Sequence, residues 1–167
     1  MQIKKDFLSN GELQAVFDGL QSIYAENLWA INQNVWQEEL LDKVHGTVAT
    51  AGFAGEHADK IKKFLRPHLP ECKEISLVYN LWYPYSGIAW HNDGKYVFGA
   101  TLYLNQEWDL NSGGIFLYMD SKTGEMKGHM PEQNTMVIND EEELHCVTTV
   151  NPAIPEPRMT LQIWGKD

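Results

Sequence analysis

The chain has 167 residues, enough for one domain with a substantial core, and 43% hydrophobic against 22% charged residues is typical of a globular protein, not a disordered one. The 13 basic and 23 acidic residues give a net charge of −10, which disfavours a nucleic-acid partner because phosphate binding depends on Lys and Arg. Two cysteines are too few for a disulfide framework, and no apolar run suits a membrane span or signal peptide, so a cytoplasmic protein is expected.

The first part of the chain, residues 1–70, is predicted to be a helical support region. Ser9 and Glu12 form the S-x-x-E pattern of a capping box, and apolar residues then recur at helical spacing, which predicts a helix from about residue 10 to about residue 26. A short strand is predicted before it, and mixed short strands and turns after it. A second helix is predicted over 54–65, and it is expected to end there because two prolines follow closely.

From residue 74 onward the hydrophobic pattern changes to a period of two, which predicts strands. The predicted strands cover 74–83, 96–104, 115–119, 135–139, 145–150 and 158–164. Turn-forming residues separate them. Helices followed by many short strands predict a single, mainly β domain, in which a sandwich or barrel at 74–167 is braced by the N-terminal helices.

The sequence contains two His-x-Asp triplets, His57-x-Asp59 and His91-x-Asp93. Residues i and i+2 share a face on a strand but point to different sides of a helix, so the first triplet, in the predicted helix, is interpreted as solvated surface. The second ends an extended segment. Together with His145 on a later strand it could form the two-His, one-carboxylate triad that suits non-haem Fe(II). The alternative for His145 is a core histidine bonded to a backbone carbonyl.

The strand at 158–164 places four larger side chains on one face, Arg158, Thr160, Gln162 and Trp164. A guanidinium that points into a barrel needs an anion, because an unpaired buried charge is too costly. A dicarboxylate would satisfy Arg158 through bidentate hydrogen bonds. Tyr103, on a face of mostly small residues, could bond the same carboxylate, or its hydroxyl could instead reach a loop.

The segment from about residue 79 to residue 164 resembles the 2-oxoglutarate/Fe(II)-dependent oxygenase superfamily, in its prolyl 4-hydroxylase-like branch. The matching residues, in the order in which the family has them, are Tyr83-Pro84, His91-x-Asp93, Leu102-Tyr103-Leu104-Asn105, Trp108, Gly113-Gly114, Pro131, Asn134, His145, and Arg158 leading to Trp164. Any one of these motifs is weakly specific, whereas the ordered set is strongly specific.

The resemblance implies a double-stranded β-helix (jelly-roll) core and three Fe(II) ligands, which are His91, Asp93 and His145. By position, Arg158 and Tyr103 would bind the distal carboxylate of 2-oxoglutarate, with Thr160 as a further contact and Tyr83 lining the pocket. The implied reaction uses O2, converts 2-oxoglutarate to succinate and hydroxylates a C–H bond. Peptidyl proline is the first expected substrate, and a free amino acid or another small metabolite is the alternative.

Two other functions stay open at this point. Asn80-Leu81 and the residues around His91 are also similar to AlkB-like nucleic-acid demethylases, but that branch has a second arginine where this chain has Trp164, and the acidic charge disfavours it. A non-catalytic jelly-roll that only binds a ligand is the other alternative. The acidic run at 140–143 is expected to be a solvated loop.

Overall fold

A computed structural model describes residues 1–31, 38–140 and 143–167 of the chain. Its helices are α1 (Asn10–Glu26), α2 (Glu38–Leu41) and α3 (Glu56–Leu65). Its strands are β1 (Gln2–Lys4), β2 (Ala30–Ile31), β3 (Val44–His45), β4 (Val48–Phe53), β5 (Glu74–Trp82), β6 (Gly87–His91), β7 (Phe98–Tyr103), β8 (Phe116–Met119), β9 (Met126–His129), β10 (Met136–Asn139), β11 (His145–Val147) and β12 (Arg158–Lys166).

Within these ranges the strands form two antiparallel sheets. The major sheet has seven strands in the order β1-β10-β7-β12-β5-β4-β2, and the minor sheet has five in the order β3-β6-β11-β8-β9. Side chains from both sheets line one cavity between them. The neighbours within each sheet are mostly distant along the chain, as in a jelly-roll. The predicted mainly β fold with N-terminal helices is therefore confirmed.

Helix α1 covers the outer face of the major sheet. The capping box predicted at its start is present, since the Ser9 hydroxyl accepts from the backbone N–H of Glu12 and the Glu12 carboxylate accepts from the N–H of Ser9. Asn27 ends the helix in the left-handed conformation. The Tyr79 hydroxyl on β5 donates to the Val16 carbonyl at 2.6 Å, which ties the helix to the sheet.

Alternation along β5 and β12 separates the core from the cavity. On one face, Leu77, Tyr79, Leu161 and Ile163 are buried in the core beneath the helices. On the other face, Asn80, Trp82, Arg158, Thr160 and Gln162 line the cavity. Because β5 and β12 pair over nine residues, with Arg158 opposite Trp82 and Thr160 opposite Asn80, the register of these two strands determines which polar groups meet inside.

Residues 1–70 contribute more than helical support. Strands β1, β2 and β4 belong to the major sheet and β3 to the minor sheet. Two further strands, β6 and β9, were not predicted; β9 has no alternating pattern and forms because a tight turn folds it back onto β8.

Among the helices of the described residues, none combines the length and the apolar character that a bilayer span requires.

The acidic run is only partly a solvated loop. Residues 141 and 142 lie outside the described ranges. Glu143 is 6% exposed, and its carboxylate accepts hydrogen bonds from the backbone N–H and the hydroxyl of Ser121 and pairs with the terminal amine of Met1. The expectation of full solvation is therefore wrong for Glu143.

Candidate metal and carboxylate site

His91, Asp93 and His145 lie together at one end of the cavity. His91 ends β6, Asp93 follows in the adjoining turn, and His145 begins β11. Strands β6 and β11 pair with His91 directly opposite His145, so the two imidazole centroids are 4.2 Å apart. Sheet pairing thus brings together residues that are more than fifty positions apart in sequence.

The three side chains present their ligand atoms to a common centre. The Nε2 atom of His91 is 3.8 Å from Oδ1 of Asp93, and Nε2 of His145 is 3.6 Å from Oδ2 of Asp93. One ligand atom from each residue lies within 4.8 Å of the other two. A single ion with bonds of about 2 Å could span these separations. By contrast, His57 and Asp59 are both exposed on α3, as predicted.

Backbone carbonyls orient both imidazoles. The Nδ1 atom of His91 lies 2.8 Å from the Ala89 carbonyl, and Nδ1 of His145 lies 2.9 Å from the Glu143 carbonyl. Because a carbonyl only accepts, each Nδ1 carries the proton and each Nε2 presents a lone pair to the centre. This is the arrangement in which outer hydrogen bonds fix the tautomer of a metal-binding histidine.

The electrostatics of the site also suit a cation. Burial, and then the neighbouring His145, lowers the pKa of His91 to about 4, and burial lowers the pKa of His145 as well. Both imidazoles are therefore neutral near pH 7 and able to act as ligands. Burial raises the pKa of Asp93 to about 6, and its Oδ1 has no hydrogen-bond partner within the described residues. A divalent ion would both satisfy this oxygen and balance the buried negative charge.

Arg158 lies at the start of β12, deep in the same cavity. It is 1% exposed, and its guanidinium carbon is 5.1 Å from the Tyr103 ring and 5.7 Å from the Trp82 ring. Burial lowers its pKa, an effect that Tyr103 partly opposes. Its Nε atom has no hydrogen-bond partner, and no carboxylate in the described part of the chain forms an ion pair with it. A buried guanidinium without a counterion has the charge and the donors to bind an anion.

The other predicted site residues differ in their positions. Thr160 is buried and lines the cavity, whereas Tyr103 is buried against Arg158 without itself being a lining residue. Tyr83 is 37% exposed and is not among the residues that line the cavity. The reason is alternation on β5, which points Trp82 inward and leaves its neighbour outside.

Sequence reasoning missed several cavity-lining side chains. Asn80 and Trp82 could have been found from the alternation on β5, which places them on the same face. Tyr96, whose ring stacks on Trp164 with centroids 4.2 Å apart, and Asn139 had no comparable signal in the sequence. Asn139 looks like an ordinary polar end to an apolar strand.

Gly99 on β7 provides the space that Asp93 occupies. A Cβ atom at position 99 would lie 2.5 Å from Oδ2 of Asp93 and 2.9 Å from Cζ3 of Trp164. We expect Gly99→Ala to displace the carboxylate and to lower the free energy of unfolding by about 1–3 kcal/mol, the usual cost of overpacking. Gly52→Ala on β4 is the matched control, because no atom lies within 4 Å of its added methyl group. Equal urea midpoints for the two variants would contradict this steric role.

Comparison with known families supports the same assignment of fold and chemistry. A family model described as the 2OG-Fe(II) oxygenase superfamily matches residues 44–166. This range contains the three candidate metal ligands, His91, Asp93 and His145, as well as Arg158. No match is found among curated proteins by sequence comparison.

Solved structures share the fold at low sequence identity. A Pseudomonas putida prolyl-4-hydroxylase aligns with a TM-score of 0.72 and 18% identity over 99% of this chain and 92% of that chain. A Trichoplax adhaerens prolyl hydroxylase in complex with a hypoxia inducible factor peptide fragment aligns with a TM-score of 0.77 and 14% identity, covering 99% and 83%. A 2OG-Fe(II) oxygenase family oxidoreductase from Burkholderia pseudomallei aligns with a TM-score of 0.63 and 17% identity, covering 97% and 83%.

Proposed function

Because the chain belongs to the 2OG-Fe(II) oxygenase superfamily, whose members use Fe(II), 2-oxoglutarate and O2, we propose that it hydroxylates a C–H bond of a peptidyl proline or a similar substrate. The observation that carries this proposal is the joint occurrence, in one cavity, of the buried His91, Asp93 and His145 and of the unpaired guanidinium of Arg158. Without a bound cation and a bound anion, the charges of Asp93 and Arg158 would be buried and uncompensated, which is energetically costly.

In this proposal His91, Asp93 and His145 hold the iron. Three protein ligands would leave coordination positions for the co-substrate and O2, as the two-histidine, one-carboxylate set does in oxygen-activating non-haem iron proteins. When bound, iron and 2-oxoglutarate supply the oxidising chemistry, in which O2 converts 2-oxoglutarate to succinate and CO2 and hydroxylates the substrate. The protein's own part is to keep both imidazoles deprotonated at Nε2 and to hold the Asp93 carboxylate between them.

Arg158 binds the distal carboxylate of 2-oxoglutarate in this proposal. A guanidinium offers two parallel N–H donors that match a carboxylate, and the adjacent rings of Tyr103 and Trp82 restrict where it can move. Thr160, which lines the cavity, offers its hydroxyl as a further donor. The Tyr103 hydroxyl, buried behind the lining beside Arg158 and without a hydrogen-bond partner among the described residues, is a second donor in this proposal. Trp82 and Phe116 line the cavity with apolar surface, which excludes water from the reacting atoms.

The substrate proposal depends on the rim of the cavity and on the relatives. The stacked rings of Tyr96 and Trp164 form an aromatic wall beside Asp93 that a compact ring such as proline could contact. Two of the similar folds are prolyl hydroxylases, and one of these holds a peptide. A free amino acid or another small metabolite is the alternative substrate for the same site.

The test is turnover with iron and 2-oxoglutarate supplied. Purified protein would be screened against proline-containing peptides, free amino acids and an alkylated oligonucleotide, with succinate release and the mass of the product as paired readouts. On a peptide or an amino acid the expected product gains one oxygen atom. The proposal expects both readouts, and the arm in which they occur identifies the substrate class. Asp93→Ala is the inactive control. Product formed on an alkylated oligonucleotide alone would instead support the demethylase, and 2-oxoglutarate binding without succinate would support a binding module.

A further inference from the structure

Asn139, at the end of β10, touches the surroundings of two of the three candidate metal ligands. It is 5% exposed, lines the cavity and lies opposite Gly99 in the major sheet. Its Oδ1 accepts from the backbone N–H of Glu143 at 3.1 Å, and its Nδ2 donates to the Glu143 carbonyl at 3.1 Å. One side-chain amide therefore clamps both backbone groups of Glu143.

The clamped carbonyl is the one that orients His145. The Glu143 carbonyl accepts from Nδ1–H of His145 at 2.9 Å, so any rotation of this peptide group would release the imidazole. The Nδ2 atom of Asn139 also lies 3.3 Å from Nδ1 of His145, which places the amide against the edge of the ring. Because Nδ2 of Asn139 and the protonated Nδ1 of His145 are both donors, they do not bond each other, and Asn139 acts on His145 through the Glu143 carbonyl that both share.

The same amide reaches the third ligand. Asn139 lies opposite Gly99, and a Cβ atom at position 99 would lie 2.5 Å from Oδ2 of Asp93, so the amide and this carboxylate are neighbours on the same wall of the cavity. Nδ2 has two hydrogens, and the one that is not directed to the Glu143 carbonyl is a donor for this carboxylate. The imidazole of His91 is oriented differently, by the Ala89 carbonyl in its own strand, and not by Asn139.

We propose that Asn139 is a positioning residue for the metal centre, holding Asp93 and the Glu143–His145 pair in the geometry that binds the ion. This inference rests on the proposed function, since it assumes that the three side chains bind a metal. Asn139 itself is not a metal ligand. Its loss is expected to leave all three ligands present but two of them free to turn.

The chain contains a matched control for Asn139. Asn134 clamps the backbone of Leu8 in the same way, with Oδ1 accepting from the Leu8 N–H at 2.9 Å and Nδ2 donating to the Leu8 carbonyl at 2.8 Å. It lies within the turn that Glu132 and Thr135 close before β10, and among the described residues its side chain bonds only to Leu8 and not to His91, Asp93 or His145. Asn134→Ala therefore removes an equivalent backbone clamp without touching the metal centre.

The experiment is a Co(II) titration of the metal-free protein, followed by the visible absorption bands of the bound ion. We expect Asn139→Ala to weaken Co(II) binding about 10–100-fold, the usual effect of losing an outer hydrogen-bond partner, and to shift the absorption bands. Asn134→Ala should keep the affinity and bands of the wild type even if its melting temperature falls. Asn139→Ser, which keeps a small polar group, is the second variant should the alanine variant fail to fold, and it should weaken binding in the same direction.

The outcomes separate this inference from the proposed function. Wild-type affinity and bands in both Asn139 variants would overturn the positioning role while leaving the metal site intact. Equal losses in the Asn139 and Asn134 variants would also overturn it, because a general loss of stability would then explain both. A wild-type protein that binds no Co(II) would overturn the proposed function and this inference with it.

Discussion

Asp93→Ala is expected to lose metal binding and turnover by more than about 100-fold, since even the loss of an outer partner of a metal ligand costs about 10–100-fold. The substitution removes the carboxylate that, among the described residues, faces both imidazole Nε2 atoms. Two neutral imidazoles at a buried site neither complete the coordination nor balance the charge of a divalent ion. Fold stability should not fall in parallel, because Oδ1 of this carboxylate is buried and makes no hydrogen bond within the described residues.

The control for this prediction is the second His-x-Asp triplet. Asp59→Ala changes the same residue type in the same sequence context, but on the exposed surface of α3. It should leave Co(II) affinity and succinate release at the wild-type values. Calorimetric titration of both variants measures the difference directly. Wild-type affinity in Asp93→Ala would place the metal elsewhere.

Arg158→Met is expected to weaken 2-oxoglutarate binding by about 2–5 kcal/mol, which corresponds to a factor of roughly 30 to several thousand in the dissociation constant. The variant replaces a buried guanidinium by an apolar side chain of similar length, so the carboxylate of the ligand would lose its counterion. Iron binding should be unchanged, because Arg158 is not one of the three candidate ligands.

The stability of the same variant gives an independent readout. Without 2-oxoglutarate, Arg158→Met should melt at the wild-type temperature or above it, because a buried charge without a counterion has been removed. The rise in melting temperature on adding 2-oxoglutarate should be lost. Arg66→Met replaces the chain's other arginine, which is exposed, and should retain that rise. A variant at position 158 that still responds to 2-oxoglutarate would exclude the proposed carboxylate site.

The sequence predicted those parts of the molecule that depend on local patterns. The capping box at Ser9 predicts where α1 begins, and the period-two alternation predicts β5 and β12 as well as the face that Arg158 and Thr160 share. The His91-x-Asp93 triplet could be distinguished from His57-x-Asp59 because a strand and a helix place residues i and i+2 differently. These predictions need no knowledge of sheet pairing.

The parts that could not be predicted depend on contacts between distant segments. Tyr83 was assigned to the pocket by its motif, yet the register of β5 puts Trp82 there instead. The role of Asn139 arises only when β10 and β11 bring it near Asp93 and His145. Strand β9 has no alternating pattern of its own and exists because it pairs with β8.

The most direct test of the central claim is anomalous diffraction from crystals grown anaerobically with Fe(II). We predict one strong anomalous peak, with bonds of about 2.0–2.2 Å to Nε2 of His91, Nε2 of His145 and a carboxylate oxygen of Asp93. A protein loaded with iron whose peak lies away from any of these three side chains, or that shows no peak in the cavity, would contradict it.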